Sequence, residues 1–281
     1  MISKIRKYVI ASYLVFWVMV LGICGTASMV FHCSPFVMRT LSNICAWSPT
    51  LVLLLGFRYW CKGQSLKEFF RKAFSGKIKL GWLSGTAAVT IMATVITVMI
   101  TGAVQHRDFS FYWQLGNWSF LASLIFSITT GPTGEEAGWR GFLRPLINEK
   151  YGYIKSCVVQ GVIWAFWHTV LWFVDSDFGG LQLIPYIISN VVVMTGLCFM
   201  MNLVMNRYNN LFYGIVIHFC FNFLYCFLKV DILFYVILSA VYIFIIAGCI
   251  AADRCMTLKK KDKLYKKDIL SKNLEGESHY E

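Results

Sequence analysis

The stretch 80–103, LGWLSGTAAVTIMATVITVMITGA, runs for 24 residues without one charged side chain. Coiled as an α-helix rising 1.5 Å per residue, it spans about 36 Å, more than the roughly 30 Å hydrocarbon thickness of a bilayer. Seven further apolar runs flank it, at roughly 8–30, 36–57, 117–134, 152–174, 182–206, 211–228 and 231–252. Over its 281 residues the chain is 58% apolar and only 14% charged, with a mean hydropathy of +0.61, whereas a soluble domain is about 45–50% apolar. This composition excludes an ordinary water-soluble enzyme. It predicts an all-α, polytopic membrane protein of about eight transmembrane helices, the last two joined across Leu228-Lys229-Val230 as a tight hairpin.

Orientation follows from the positive charges, which collect in cytoplasmic loops. Of the 26 Lys and Arg residues, all but Arg39, Arg107 and Lys229 fall on one side of an eight-span arrangement. Both termini are therefore expected in the cytoplasm of a multi-pass protein of the cell membrane. The net charge of +12 is accounted for by this bias, so the expected partner is the lipid bilayer and no nucleic acid. The chain reads as a single helical membrane domain, 1–253, followed by a basic cytoplasmic tail, 254–281. Its first apolar run is longer than a signal-peptide core and no A-x-A site follows, so it is read as an uncleaved span. Within the basic 58–79 loop, Leu66, Phe69, Phe70 and Phe74 have helical spacing and predict an interfacial helix. Ten cysteines without a C-x-x-C pair read mostly as small buried hydrophobes. Cys24, Cys33 and Cys45 are the three near the outer face that a bridge could join.

Charged groups inside such a bundle cost about 2.5–3.5 kcal/mol each at a helix centre and usually mark a function. Three places carry them: Glu135, Glu136 and Arg140 in the stretch 131–143, GPTGEEAGWRGFL; His168; and His218 with Asn222. Residues four apart share a helical face and neighbours point about 100° apart. Glu136 is thus expected to meet Arg140, leaving Glu135 to face a cavity, while His218 and Asn222 stand side by side. The Gly131-Pro132-Thr133-Gly134 break is what a discontinuous membrane helix needs where backbone lines a wet cavity. By the helical rise, Glu135 lies roughly 18 Å from the helix end at Ile147, His168 about 24 Å from Gly152 and His218 about 11 Å from Leu211. All three depths fall within the membrane core.

The ordered set Glu135-Glu136-x-x-x-Arg140, Trp164-x-x-x-His168 and His218-x-x-x-Asn222, over roughly 117–228, resembles the CAAX-protease and bacteriocin-processing (CPBP, or Abi) family of intramembrane endopeptidases. Arg140-Gly141-Phe142-Leu143 and Ala165-Phe166-Trp167-His168 are further echoes. The second motif usually opens with Phe, where this chain has Trp164. The resemblance implies that Glu135 and His168 hold and activate a water, that His218 and Asn222 stabilise the oxyanion, and that Glu136 and Arg140 support them. The expected activity is hydrolysis of a peptide bond in a membrane-anchored or membrane-associated peptide or protein. Desolvation of a carboxylate favours its neutral form and brings a glutamate toward the range of a base working near pH 7. No cofactor is favoured, because an asparagine beside the second histidine suits an oxyanion hole better than a ligand set. Zn²⁺ held by Glu135, His168 and His218 is the alternative. Trp164, Trp167 and Trp172 read as packing aromatics, and Asp175 and Asp177 as solvated loop residues.

Two other function classes use the same residues. One is a non-catalytic binding, immunity or regulatory protein of the same fold; the other is a proton- or ion-coupled transporter. The first has no evident need for Asn222 beside His218, and the second would show inverted repeats, of which the sequence has none.

Overall fold

Apolar runs become helices wherever their backbone polar groups have no water to bond, and the architecture follows. The computed structural model describes residues 1–114 and 119–277, with side chains through Lys259. The start of the expected fourth span, 117–118, and the end of the tail, including His279, lie outside the described residues. Helix α1 runs Ile2–Met29, with a π turn at Val20–Cys24. It is followed by α2 (Pro35–Ala46), α3 (Ser48–Leu55), α4 (Leu66–Ala73), α5 (Leu80–Gln105), α6 (Phe120–Thr129) and α7 (132–150). Then come α8 (Tyr153–Trp167), α9 (Thr169–Val174), α10 (Leu183–Tyr208), α11 (Phe212–Tyr225) and α12 (Ile232–Glu277). Among the described residues there is no β-strand, only an isolated bridge between Trp113 and Leu228.

Four helices are long and apolar enough to cross a membrane, at Ile2–Met29, Leu80–Gln105, Gly180–Tyr208 and Ile232–Lys259. Three of the other four apolar runs are helical but interrupted, at Trp47 between α2 and α3, at Gly131 between α6 and α7, and at His168 between α8 and α9, and the fourth forms the shorter helix Phe212–Tyr225. The outer surface is oily, with Leu55 87%, Met29 79% and Phe244 78% exposed, a pattern that needs lipid around it. The interior is the polar side: Glu135, Glu136, Arg140, Arg144, Gln160, Asn202 and His218 are all buried.

Helix α10 is the central post, packed by α8, α11 and α12. Helix α5 closes against α11 and α12 with a buried stripe of Thr86, Thr90, Thr94, Thr97 and Thr101. Each of these hydroxyls bonds the carbonyl four residues back, which satisfies it without a partner helix and keeps the surface slim for close packing. The connection after α11 is short and is pinned by Lys229 N–H to the Tyr112 carbonyl (2.8 Å) and Gln114 N–H to the Phe227 carbonyl (2.8 Å). The expected hairpin has a different partner, however, since α12 lies chiefly against α10 and α5 rather than back along α11. Helix α12 continues into the basic tail, to Glu277.

The interfacial helix of the 58–79 loop is α4. It starts with a reciprocal cap: Ser65 N–H donates to Glu68 Oε2 at 2.8 Å, and Glu68 N–H to Ser65 Oγ at 3.2 Å. Phe69 is buried against Phe57 at 5.7 Å, while Leu66 and Phe74 stay exposed. The Ser65 backbone N–H, and then its hydroxyl, hold the Glu68 carboxyl below the usual glutamate range. A depressed folded value means the cap is complete above the unfolded value of about 4.3 and is lost as pH falls through the lower folded one. The protection of the Ser65 and Glu68 backbone amides against exchange, measured relative to their intrinsic rates at each pH, should therefore fall on acidification below that range. Unchanged protection would dismiss the cap as a stabilising contact.

The cysteines are free thiols. Cys24 and Cys45 are neighbours with sulfurs 3.8 Å apart.

Candidate active site

The break at Gly131-Pro132 is the local feature from which the site is built. Proline has no N–H, so the Ile128 carbonyl loses its helical donor. The Thr133 hydroxyl donates to that carbonyl instead, at 2.9 Å, and the Trp47 indole N–H donates to the Thr129 carbonyl at 2.8 Å. With its free carbonyls satisfied, the chain restarts as α7, first as α-helix at Pro132–Glu136 and then as a π segment at Ala137–Leu143. π segments of this kind are frequent at functional sites. Gly138 lets α7 approach α1 and α3 closely, since a Cβ there would press on the Tyr8 hydroxyl and Pro49.

Glu136 and Arg140 make the expected i, i+4 pair, Oε1 to Nη1 at 3.1 Å, and both are buried. Arg140 Nη2 also reaches Cys198 Sγ at 3.4 Å. Unforeseen in the sequence, the same Glu136 Oε1 lies 2.9 Å from His218 Nδ1. A carboxylate only accepts, so Nδ1 carries the proton, and Glu136 fixes the ring of α11. The other ring nitrogen, Nε2, then faces Gly131, beside Asn222 Nδ2. A Cβ on Gly131 would collide with His218 Cε1 and Nε2 and come within 3.0 Å of Asn222 Nδ2.

Glu135 is 3% exposed and, rather than facing an open cavity, accepts a hydrogen bond from the Trp164 indole, Nε1 to Oε2 at 2.6 Å. His168 ends α8, and its Nδ1 lies 2.9 Å from the Trp164 carbonyl. That carbonyl can only accept, which leaves Nε2 as the ring's acceptor in the neutral form. Trp164 also covers Arg140, whose Cζ sits 4.0 Å from the ring centroid, and meets His218 edge-on at 5.0 Å. Trp167 and Trp172 are buried packing residues, as expected, with Trp167 stacked on Phe16 at 3.8 Å. Asp175 and Asp177 are exposed.

The sequence reading took Gly131 only as part of a helix break and Trp164 as a packing aromatic, and it passed over Arg144. Arg144 is 5% exposed, its Nε bonds Asn202 at 2.8 Å and its Nη2 bonds Asn206 at 2.7 Å on α10. Its signal was present, in Arg140 and Arg144 four apart on one helix facing Asn202 and Asn206 four apart on another. Beyond Arg140 and Arg144 lies a cavity of about 630 Å³ whose wall includes Lys4, Lys62, Lys72 and Trp60.

Among the described residues no group of three or more His, Cys, Asp and Glu is arranged to hold a metal ion. Glu135, His168 and His218 are the residues that would hold a zinc ion, and no step below is routed through one.

Replacing Gly131 by Ala should push His218 and Asn222 off their positions. Misplacing reacting groups by about 1 Å costs about 100-fold in rate and overpacking a filled site costs about 1–3 kcal/mol, so if His218 and Asn222 act on a substrate, Gly131→Ala should lose about that factor in activity and unfold at a lower temperature. A variant as active as wild type would show that these two side chains do not need their present positions.

Residues 116–224 match a family model described as type II CAAX prenyl endopeptidase Rce1-like. "CAAX prenyl protease 2" of Methanococcus maripaludis is 26% identical over 119 residues, which cover 41% of this chain and 40% of that protein. The chain thus aligns with about two fifths of the length of that curated relative. With four helices able to cross a bilayer, this is a membrane protein, and its segment 116–224, which carries all three motifs, is similar to the CAAX prenyl endopeptidases.

Proposed function

We propose that this protein is an intramembrane endopeptidase that hydrolyses a peptide bond in a membrane-anchored or membrane-associated peptide, using water activated by Glu135. The observation that supports it best is the grouping of Glu135, His168, Arg140 and His218 around Trp164, from three separate helices, with Glu136 tying His218 in place. Glu135 takes a proton from the water as its oxygen attacks the scissile carbonyl carbon, and His168 Nε2 helps to hold that water. The carbonyl oxygen becomes an oxyanion, which accepts hydrogen bonds from Asn222 Nδ2 and from Nε2–H of protonated His218. Such donors are worth several kcal/mol in a dry site. The C–N bond then breaks, and the proton passes from Glu135 to the leaving amine. Every step is carried by side chains, so the mechanism is metal-independent.

In this reading the chain lies in the cell membrane with eight spans and both termini in the cytoplasm, as the distribution of Lys and Arg supports. The exposed Cys255 on α12 should then react with an impermeant maleimide only after the cells are opened. Labelling of Cys255 in intact cells, read in a variant whose Cys24 and Cys33 are replaced by Ser, would reverse the orientation.

The functional test is cleavage of a panel of lipidated and unlipidated fluorogenic peptides by the purified protein in vesicles, wild type against Glu135→Ala, with and without a chelator. Glu135-dependent, chelator-resistant cleavage is the expected result. Loss of activity on chelation would overturn the metal-free mechanism. Tight binding of a panel peptide without turnover would favour a non-catalytic binding protein.

A further inference from the structure

Four of the six motif residues meet at one tryptophan, and they meet different parts of it. The ring face covers the Arg140 guanidinium, the ring meets His218 at 77°, the backbone carbonyl holds His168 Nδ1, and the indole N–H donates to Glu135 Oε2. A phenylalanine, the residue that usually opens this motif, would supply the first three contacts and not the fourth. The N–H bond is therefore the specific contribution of tryptophan at this position.

The other indoles make the contrast clear. Trp17, Trp47, Trp60 and Trp167 direct their N–H groups to backbone carbonyls, as packing residues in a membrane interior do. The indole N–H of Trp139, buried one turn along α7 from Glu135, has no hydrogen-bond partner among the described residues. Trp164 instead bonds a carboxyl oxygen, at 2.6 Å. Glutamate has three side-chain torsions, and a general base must present one oxygen to its water in a fixed direction. Oε2 held by the indole leaves Oε1 for the water. The indole is itself clamped, because its face is against Arg140 and Arg140 is ion-paired with Glu136. The second glutamate thereby helps to aim the first.

We propose that Trp164 is a positioning residue, whose indole N–H orients the Glu135 carboxylate for water activation. The proposal rests on the reading of Glu135 as the base. Its test combines kinetics with the spectrum of the bond itself, using Trp164→Phe, which keeps the ring and the carbonyl. With a cleaved peptide from the panel, kcat of Trp164→Phe is expected to fall about tenfold, equivalent to roughly 1.4 kcal/mol, with KM within about twofold. Trp139→Phe, which also removes a buried indole N–H, should stay near wild type.

In ¹⁵N-tryptophan-labelled protein, the indole resonance missing from Trp164→Phe should be shifted downfield in the wild type and should move upfield in Glu135→Gln, where the acceptor is no longer charged. An unchanged kcat in Trp164→Phe, or an indole resonance indifferent to Glu135→Gln, would overturn the proposal. If Trp164→Phe does not fold, the response of the wild-type indoles to Glu135→Gln still decides whether the bond exists. Should Glu135→Gln retain activity while the resonance moves, the bond stands and the catalytic reading of Glu135 fails, and the positioning role fails with it.

Discussion

Glu135→Gln is expected to lower the rate of peptide hydrolysis by about a thousandfold, within the 10²–10⁴ that a positioned general base contributes, while leaving the fold intact. Glutamine has the shape of glutamate, and its amide oxygen can still accept the Trp164 indole N–H that now reaches Oε2 at 2.6 Å. Burial favours the substitution, because a neutral amide needs no desolvated charge in a site where residue 135 is 3% exposed. What is lost is the basic oxygen that takes the proton from water. Single-turnover cleavage in vesicles, paired with thermal unfolding of both proteins, separates these effects. Retention of more than about a tenth of the wild-type rate would place the base elsewhere.

Glu136→Ala should do a different kind of damage. Arg140 is 2% exposed and Glu136 is its carboxylate partner, so the variant strands a buried cation. Breaking such a pair from one side costs about 3–5 kcal/mol, a large share of the 5–15 kcal/mol that holds a domain together. His218 loses its Nδ1 acceptor at the same time. The paired replacement Glu136→Leu with Arg140→Met removes both charges, and such apolar substitutions are often neutral or better for stability. The double variant is expected to regain folding and remain inactive, because His218 stays unanchored and Trp164 loses the cation against its face. Denaturation in detergent and peptide cleavage, measured on both variants, check this together. A single variant that unfolds like wild type would remove the pair's stabilising role, and an active double variant its role in holding the site.

The helices were readable because hydropathy is a local property. A run such as 80–103 has one way to satisfy its backbone in lipid, and it appears as α5 (Leu80–Gln105). The breaks were only half readable. Pro132 announces the one at Gly131, whereas nothing in residues 152–174 announces that α8 stops at His168. The basic tail was read for its charge alone, and its helical continuation to Glu277 comes from the structure.

The candidate site divides along the same line. Sequence by itself determined the all-α membrane class, the Glu136–Arg140 pair and the adjacency of His218 and Asn222, since helical periodicity ties residues four apart to one face. Tertiary structure alone decided that Glu136 also holds His218, 82 positions away, and that Trp164 reaches Glu135 across 29 positions. It likewise decided that Gly131 is the residue small enough to sit against both His218 and Asn222. The physical reason is that periodicity gives the direction of a side chain within its own helix and says nothing about which other helix fills the space it points into. That choice is made by packing, in an interior where every buried charge must find its partner.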